Sequence, residues 1–184
     1  DTKTICKDIR ELGVEEIFDA ANLGPGELDI FDGSPPCPPF SMSGSKRKGW
    51  NKTKRVYGKV QTNIEDLTFD LINLAKDVQS KVIVCENVKG LTMNYARDHM
   101  KKMIEGFENI GYTVSHRVCN ASFHGVPQKR ERVFIVCVRN DVMEKLGLNI
   151  ISLPEKVFPI PYNLQPTQRD AIYHLLEDED NLAE

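Results

Sequence analysis

The chain has 184 residues, with 40% hydrophobic and 28% charged positions and a formal net charge of −3. That is enough for one domain with a sizeable core, and the balance is that of an ordinary globular protein, not of a disordered or fibrous one. No apolar stretch approaches membrane-spanning length, and the N-terminus does not read as a signal peptide.

From the N-terminus, residues 5–22 read as mostly helical after a short strand, and Gly24-Pro25-Gly26 ends that segment. Leu28-Asp29-Ile30-Phe31 reads as a buried strand. Asp32-Gly33-Ser34-Pro35-Pro36-Cys37-Pro38-Pro39-Phe40-Ser41 follows it. The prolines narrow φ and remove backbone donors, so the Cys37 thiol is mounted on a stiff turn at the strand's carboxyl end. A rigidly held, accessible thiol suits nucleophilic catalysis.

Residues 35–62 read as a long irregular loop. From Gly33 to Asn63 there is no Asp or Glu, while Lys46, Arg47, Lys48, Lys52, Lys54, Arg55 and Lys59 fall within that span. A typical basic run is a solvated loop, but the position of this one beside a candidate nucleophile raises its chance of meeting phosphates. The C-terminal Glu177-Asp178-Glu179-Asp180 reverses the sign.

Ile64, Leu67, Leu71, Leu74 and Val78 recur at helical spacing, so 64–79 is an amphipathic helix. Val82-Ile83-Val84-Cys85 is a second buried strand, over 81–86. A further helix spans 94–110, with Met100, Met103, Phe107 and Ile110 on one face and Gly111 as its stop. Tyr112, Val114, His116 and Val118 alternate as a third strand, and Val133 to Val138 form a fourth, over 132–138. The prolines after Ile150 mark a linker, with a short helix over 167–176. The pattern is α/β, with a mostly parallel sheet and one antiparallel edge strand.

The five cysteines are scattered without a C-x-x-C pair, and Cys85, Cys119 and Cys137 lie in apolar runs as core thiols. Together they suit a reducing compartment. His99, His116, His124 and His174 show no zinc-ligand spacing with them, so no metal is expected.

Ligands in open α/β sheets bind at the carboxyl ends of the strands. Successive parallel strands are usually neighbours, so Cys37 and Glu86 are expected in one crevice. A thiol beside a carboxyl group permits covalent attack coupled to proton transfer. In Gln128-Lys129-Arg130-Glu131-Arg132, an extended chain puts Gln128, Arg130 and Arg132 on one face, able to clamp an anion or a carbonyl oxygen.

Gly33-Ser34-Pro35-Pro36-Cys37, Glu86-Asn87-Val88-Lys89-Gly90-Leu91 and Gly125-Val126-Pro127-Gln128-x-Arg130-x-Arg132, in this order and spacing, resemble the signature motifs of the cytosine-C5 methyltransferases. The resemblance covers residues 5–176. It implies a Rossmann-like methyltransferase fold that uses S-adenosylmethionine, incomplete at both ends. It implies Cys37 as the nucleophile on C6 of a cytosine, Glu86 as hydrogen-bond partner of the ring nitrogen and amino group, and Arg132 on the ring carbonyl. Arg130 is expected on a backbone phosphate or beside the thiolate. The resemblance names no base for the C5 proton.

The resemblance further implies cofactor contacts at Asp8, Ile9, Pro36 and Leu67, and substrate contacts at Ser41, Asn87, Gln128, Lys46, Arg47 and Lys48. The target base must be flipped from the duplex, with residues 38–60 closing over DNA and Trp50 packing or stacking within that loop. Pro38 departs from the family's usual Gln.

The family's Phe-x-Gly-x-Gly cofactor turn and its target-recognition region are not in this sequence. Residues 1–150 are therefore expected to be a partial catalytic domain, and 151–184 a linker and short helix leading toward the recognition region. Such a part is expected to bind S-adenosylmethionine weakly, and its unpaired sheet edge to favour association.

Double-stranded DNA is the expected partner, in a bacterial or phage restriction–modification setting. The expected location is cytoplasmic, associated with the nucleoid when bound to DNA. A tRNA cytosine methyltransferase of the same family and a non-catalytic interaction domain on this scaffold are the alternatives.

Overall fold

The computed structural model describes residues 2–36, 54–56, 59–61, 67–162 and 165–172. A single-turn 3-10 helix at Ile9–Glu11 precedes helix α1 (Val14–Ala21). Asp8 caps that turn: its carboxylate accepts from the Arg10 backbone N–H at 3.1 Å and from the Arg10 guanidinium at 2.9 and 2.6 Å. The segment read as mostly helical is therefore two short pieces, and among the described residues no strand precedes them. Gly13 begins α1, and Asn22 ends it in the left-handed region.

Strand β1 (Ile30–Gly33) begins the sheet. Lys54–Val56 (β2) and Lys59–Gln61 (β3) pair as an antiparallel ribbon inside the region read as irregular. The sequence hid these strands because lysine and glutamine have low β-propensity, and pairing overrode it.

Helix α2 (Leu67–Val78) matches the described part of the expected amphipathic helix. It buries Thr68, Leu71, Ile72, Leu74, Ala75 and Val78 on one side. Strand β4 (Val82–Val88) follows, then two 3-10 turns and helix α3 (Arg97–Asn109). Met100, Met103 and Phe107 are the buried face of α3, as the spacing predicts. Gly111 stops it at φ 94, a conformation that favours glycine. Strands β5 (Tyr112–Asn120) and β6 (Glu131–Arg139) come next, followed by the short helices α4 (Asn140–Lys145), α5 (Leu153–Val157) and α6 (Gln168–Ile172).

The main sheet runs β1-β4-β6-β5. β1 and β4 are parallel, and β6 is antiparallel to both of its neighbours. Three strands thus point one way, in agreement with an α/β methyltransferase sheet. The antiparallel strand is not at the edge as expected: β6 inserts between β4 and β5. Its buried face supplies the reason. Val133, Ile135 and Cys137 are fully buried, and Val136 and Val138 are buried toward the opposite face, so both faces need covered positions.

One core lies between the sheet and helices α2 and α3, centred on Ile83, Cys85, Met103, Phe107, Tyr112 and Ile135. A smaller one on the other face gathers Val136, Val138, Met143, Leu153 and Phe158. The proline-rich stretch after Ile150, read as a linker, is packed here. Leu153 is fully buried, and the Arg117 guanidinium lies 4.8 Å over the Phe158 ring.

Two expectations follow. The buried Tyr112 hydroxyl donates to the Ser80 carbonyl at 2.7 Å. Tyr112→Phe removes that donor and should lower stability by about 1–3 kcal/mol, read as a reduced urea midpoint at unchanged m-value. The Arg10 hydrogen bond lowers the Asp8 carboxyl from 3.8 to about 2. Its contribution to the folded state is then present above pH 3.8 and lost as the pH falls through about 2. Carboxyl carbon NMR shifts should give an Asp8 midpoint near 2, and a midpoint near 4 would refute the pairing.

Candidate active site

Register brings the motifs together. β1 pairs with β4 so that Gly33 stands opposite Cys85, which carries the chain beyond Gly33 alongside Glu86 and Asn87. Close packing fixes the end of β1 from the other side: a methyl group added at Gly33 would fall 2.7 Å from the Leu71 side chain of α2. Asn87 then pins the turn. Its side-chain amide donates to the Pro35 carbonyl at 3.2 Å, and its oxygen accepts from the Val88 N–H at 2.8 Å. Asn87 is buried at 4% exposure, so both bonds are shielded from water.

Glu86 points to the opposite face of β4. Val88 is opposite Arg132 and Glu86 is opposite Phe134, so Glu86 and Arg132 are diagonal neighbours on that face. The Arg132 Nε lies 2.8 Å from Glu86 Oε1, and Arg132 Nη1 donates to the Glu131 carbonyl at 2.9 Å. The two side chains are 25% and 31% exposed, so they are partly desolvated yet reachable from solution. The same face continues into an apolar groove of about 370 Å³ that includes Val84, Phe134, Val136 and Phe158.

Beside this pair, the Lys89 ammonium reaches both Glu131 oxygens at 2.8 Å. Sequence reading did not single out this second ion pair. Opposite charges just beyond β4 and at the start of β6 were its available signal.

The extended reading of 128–132 holds only from Glu131 onward. Before it, the chain makes two tight turns, with Gln128 N–H bonded to the Val126 carbonyl at 2.7 Å and Arg130 N–H to the Gln128 carbonyl at 3.0 Å. Alternation therefore does not dictate a shared face for Gln128, Arg130 and Arg132. Gln128 and Arg130 are both exposed, and among the described residues the Arg130 guanidinium makes no ion pair. Cys37, Ser41, Lys46, Arg47, Lys48 and Trp50 lie outside the described residues.

Three described thiols, Cys85, Cys119 and Cys137, are poor nucleophile candidates. Burial pushes Cys85 up to about 12 and Cys137 well above the ordinary thiol range, and it raises Cys119. These groups stay protonated near neutral pH, and protonated thiols are inert.

Of the expected cofactor residues, Ile9 packs against the main core and its 3-10 turn abuts α2. Leu67 opens α2, and the exposed Pro36 follows β1. Both the Asp8–Ile9 turn and the end of β1 thus meet α2. The Asp8 carboxylate is held by Arg10. Among the described residues no cluster of side chains could hold a metal ion, and no helix is long and apolar enough to cross a membrane.

The model of the C-5 cytosine-specific DNA methylase family matches residues 1–183. The chain is 34% identical over 135 residues to the Type II methyltransferase M.SacI of Streptomyces achromogenes, covering 73% of this chain and 33% of that protein. It is 35% identical over 176 residues to the Type II methyltransferase M.FnuDI of Fusobacterium nucleatum, covering 96% of this chain and 44% of that protein. The chain thus spans less than half the length of either relative.

Among solved structures, a protein described as a DNA modification methyltransferase of an E. coli prophage superposes with a TM-score of 0.63 at 24% identity. That match covers 91% of this chain and 40% of the other. It establishes the methyltransferase fold. With the family model matching nearly every residue and the Glu86–Arg132 pair seated at the end of β4, the chain belongs to the C-5 cytosine-specific DNA methylase family.

Proposed function

We propose that this chain carries the catalytic centre of a DNA (cytosine-5) methyltransferase acting on a base flipped out of duplex DNA. The observation that carries the reading is the 2.8 Å contact of Glu86 with Arg132, one residue from Asn87, whose side chain bonds the Pro35 carbonyl. An acid and a guanidinium meet at the strand end beside the segment that leads into Cys37, which supports the reading.

The chemistry follows from these groups. The Cys37 thiolate adds to C6, forming a sulfur–carbon bond and displacing the C5–C6 π electrons to C5, from which they delocalise through C4 toward the ring nitrogen. Glu86 holds a proton at the ring nitrogen and accepts from the amino group, so the displaced electron density is stabilised. Arg132 donates to the ring carbonyl oxygen, where negative charge collects. C5 is then enamine-like. S-adenosylmethionine is the proposed source of the electrophilic methyl group, with the Asp8–Ile9 turn, Pro36 and Leu67 as its contacts on this chain. Loss of the C5 proton returns an electron pair to the C5–C6 bond, and the Cys37 sulfur leaves with the electrons of its bond to C6.

Asn87 acts in this scheme by positioning the cysteine turn. Arg130, Gln128 and the cations Lys46, Arg47 and Lys48 are assigned to the DNA backbone, and Ser41 to the closing loop. Duplex DNA is the preferred substrate because the family that matches this chain is described as a cytosine-specific DNA methylase. By the same extension, the protein serves a restriction–modification system in the bacterial cytoplasm. Residues 151–184 lead toward a target-recognition region.

In the natural protein that carries this chain, duplex DNA containing 5-fluorocytosine should trap a covalent adduct, because fluorine blocks release at C5. Cys37→Ser should abolish it. Adduct formation on tRNA and not on duplex DNA would overturn the substrate. Glu86→Gln should lower the methyl-transfer rate by about 10²–10⁴-fold, the range for loss of a positioned acid–base group. Asn87→Ala leaves the Pro35 carbonyl without its side-chain donor and should cost about 1–3 kcal/mol of stability, together with a slower rate of adduct formation.

A further inference from the structure

The Gly125–Arg130 turn presents Arg130 to solvent and leads directly into Arg132, and the hydrogen bonds that hold it from within are backbone bonds confined to residues 121–130. The Ala121 N–H bonds to the Arg130 carbonyl at 2.9 Å and the Val126 N–H to the Ala121 carbonyl at 3.2 Å. Val126, Gln128 and Arg130 are all exposed. A guanidinium that must meet a flipped base or its phosphate needs firmer support, since a misplacement of about 1 Å can cost about 10²-fold in rate.

That support comes from far along the chain. Phe158, buried at 5% exposure and stacked under Arg117, anchors the end of α5. Pro159-Ile160-Pro161 then runs back toward the site, and its two prolines restrict φ, so little entropy is lost in holding the run straight. At its end the Tyr162 N–H donates to the Phe123 carbonyl at 2.6 Å. The Tyr162 ring lies over Gly125: a methyl group placed on Gly125 would stand 3.4 Å from the ring's Cε2. Beyond it, Gln165 Oε1 stands 3.4 Å from Ser122 Oγ, and Ser122 is itself buried at 3% exposure.

We infer that Tyr162 is a positioning residue. Its ring and its N–H strap the Gly125 turn and so fix where Arg130 and Arg132 enter the site. Tyr162 is 61% exposed, so its ring is not a core element whose loss would unfold the domain. Gly125 sits at φ 81, a conformation that favours glycine, and the Tyr162 ring packs against it at ordinary van der Waals distance. This assignment rests on the methyltransferase reading for its consequence in rate, but the strap itself is independent of that reading.

The test has two arms. On this chain, hydrogen–deuterium exchange should show faster exchange at the Val126, Gln128 and Arg130 amides in Tyr162→Ala and unchanged exchange in Tyr162→Phe. In the natural protein, Tyr162→Ala should lower kcat about tenfold with KM for S-adenosylmethionine unchanged, and Tyr162→Phe should restore the rate. Placed on Arg130→Ala, Tyr162→Ala should add less than its single cost, because both act through one turn.

Unchanged exchange in Tyr162→Ala overturns the strap. So does a wild-type kcat in that variant, or a fully additive cost with Arg130→Ala. If the wild-type protein itself gives no 5-fluorocytosine adduct, the methyltransferase reading fails, while the exchange arm still decides the strap.

Discussion

The site depends on the register of β1 against β4. With Gly33 opposite Cys85, the chain leaving β1 runs beside Asn87, and the carbonyl of Pro35 falls within reach of its amide. A slip of one residue would move every side chain of β1 to the opposite face and break that bond. Two features lock the register. Leu71 of α2 presses on Gly33 so closely that no larger residue fits without movement, and Asn87 is buried with both its amide groups engaged. Pairing, helix packing and one side-chain hydrogen bond thus agree on where the cysteine turn begins.

Electrostatics then sorts the polar groups by depth. Burial keeps the Cys85 and Cys137 thiols protonated, so the interior holds thiols that are inert. The charged groups gather at strand ends, where water still reaches them. Glu86 with Arg132, and Lys89 with Glu131, form two ion pairs across the β4–β6 junction. Exposed pairs of this kind contribute only about 0–1 kcal/mol each to stability, so their value lies in orientation. An ion pair at partial exposure is easily opened, as the proposed mechanism requires.

Much of the fold was legible in the sequence because its signals are local. The helical spacing of Leu67, Leu71, Leu74 and Val78 gave α2, the apolar run after Lys81 gave β4, and Gly111 marked the end of α3. What misled was non-local. β2 and β3 exist by pairing despite poor propensity. The stretch after Ile150 is rich in proline but folds back to bury Leu153 and Phe158. The antiparallel strand sits inside the sheet because β6 needs cover on both faces, and a one-dimensional pattern does not say which strands flank it. The candidate site divides in the same way: Glu86 and Arg132 could be named from their motifs, whereas Lys89 with Glu131 and Tyr162 over Gly125 are contacts between segments up to 42 residues apart.

By itself, the sequence determined the chemistry: the thiol on its proline mount, the carboxylate after a buried strand, and the arginines after a glycine turn, in the order of one family. Residue types and short spacings carry that information, because a reaction needs particular functional groups. Only the tertiary structure decided which groups meet. It put Arg132 on Glu86, committed the Asn87 amide to the Pro35 carbonyl, and brought Tyr162 back over Gly125. Those distances are set by strand register and packing, which depend on contacts across the whole chain and leave no mark in any one segment.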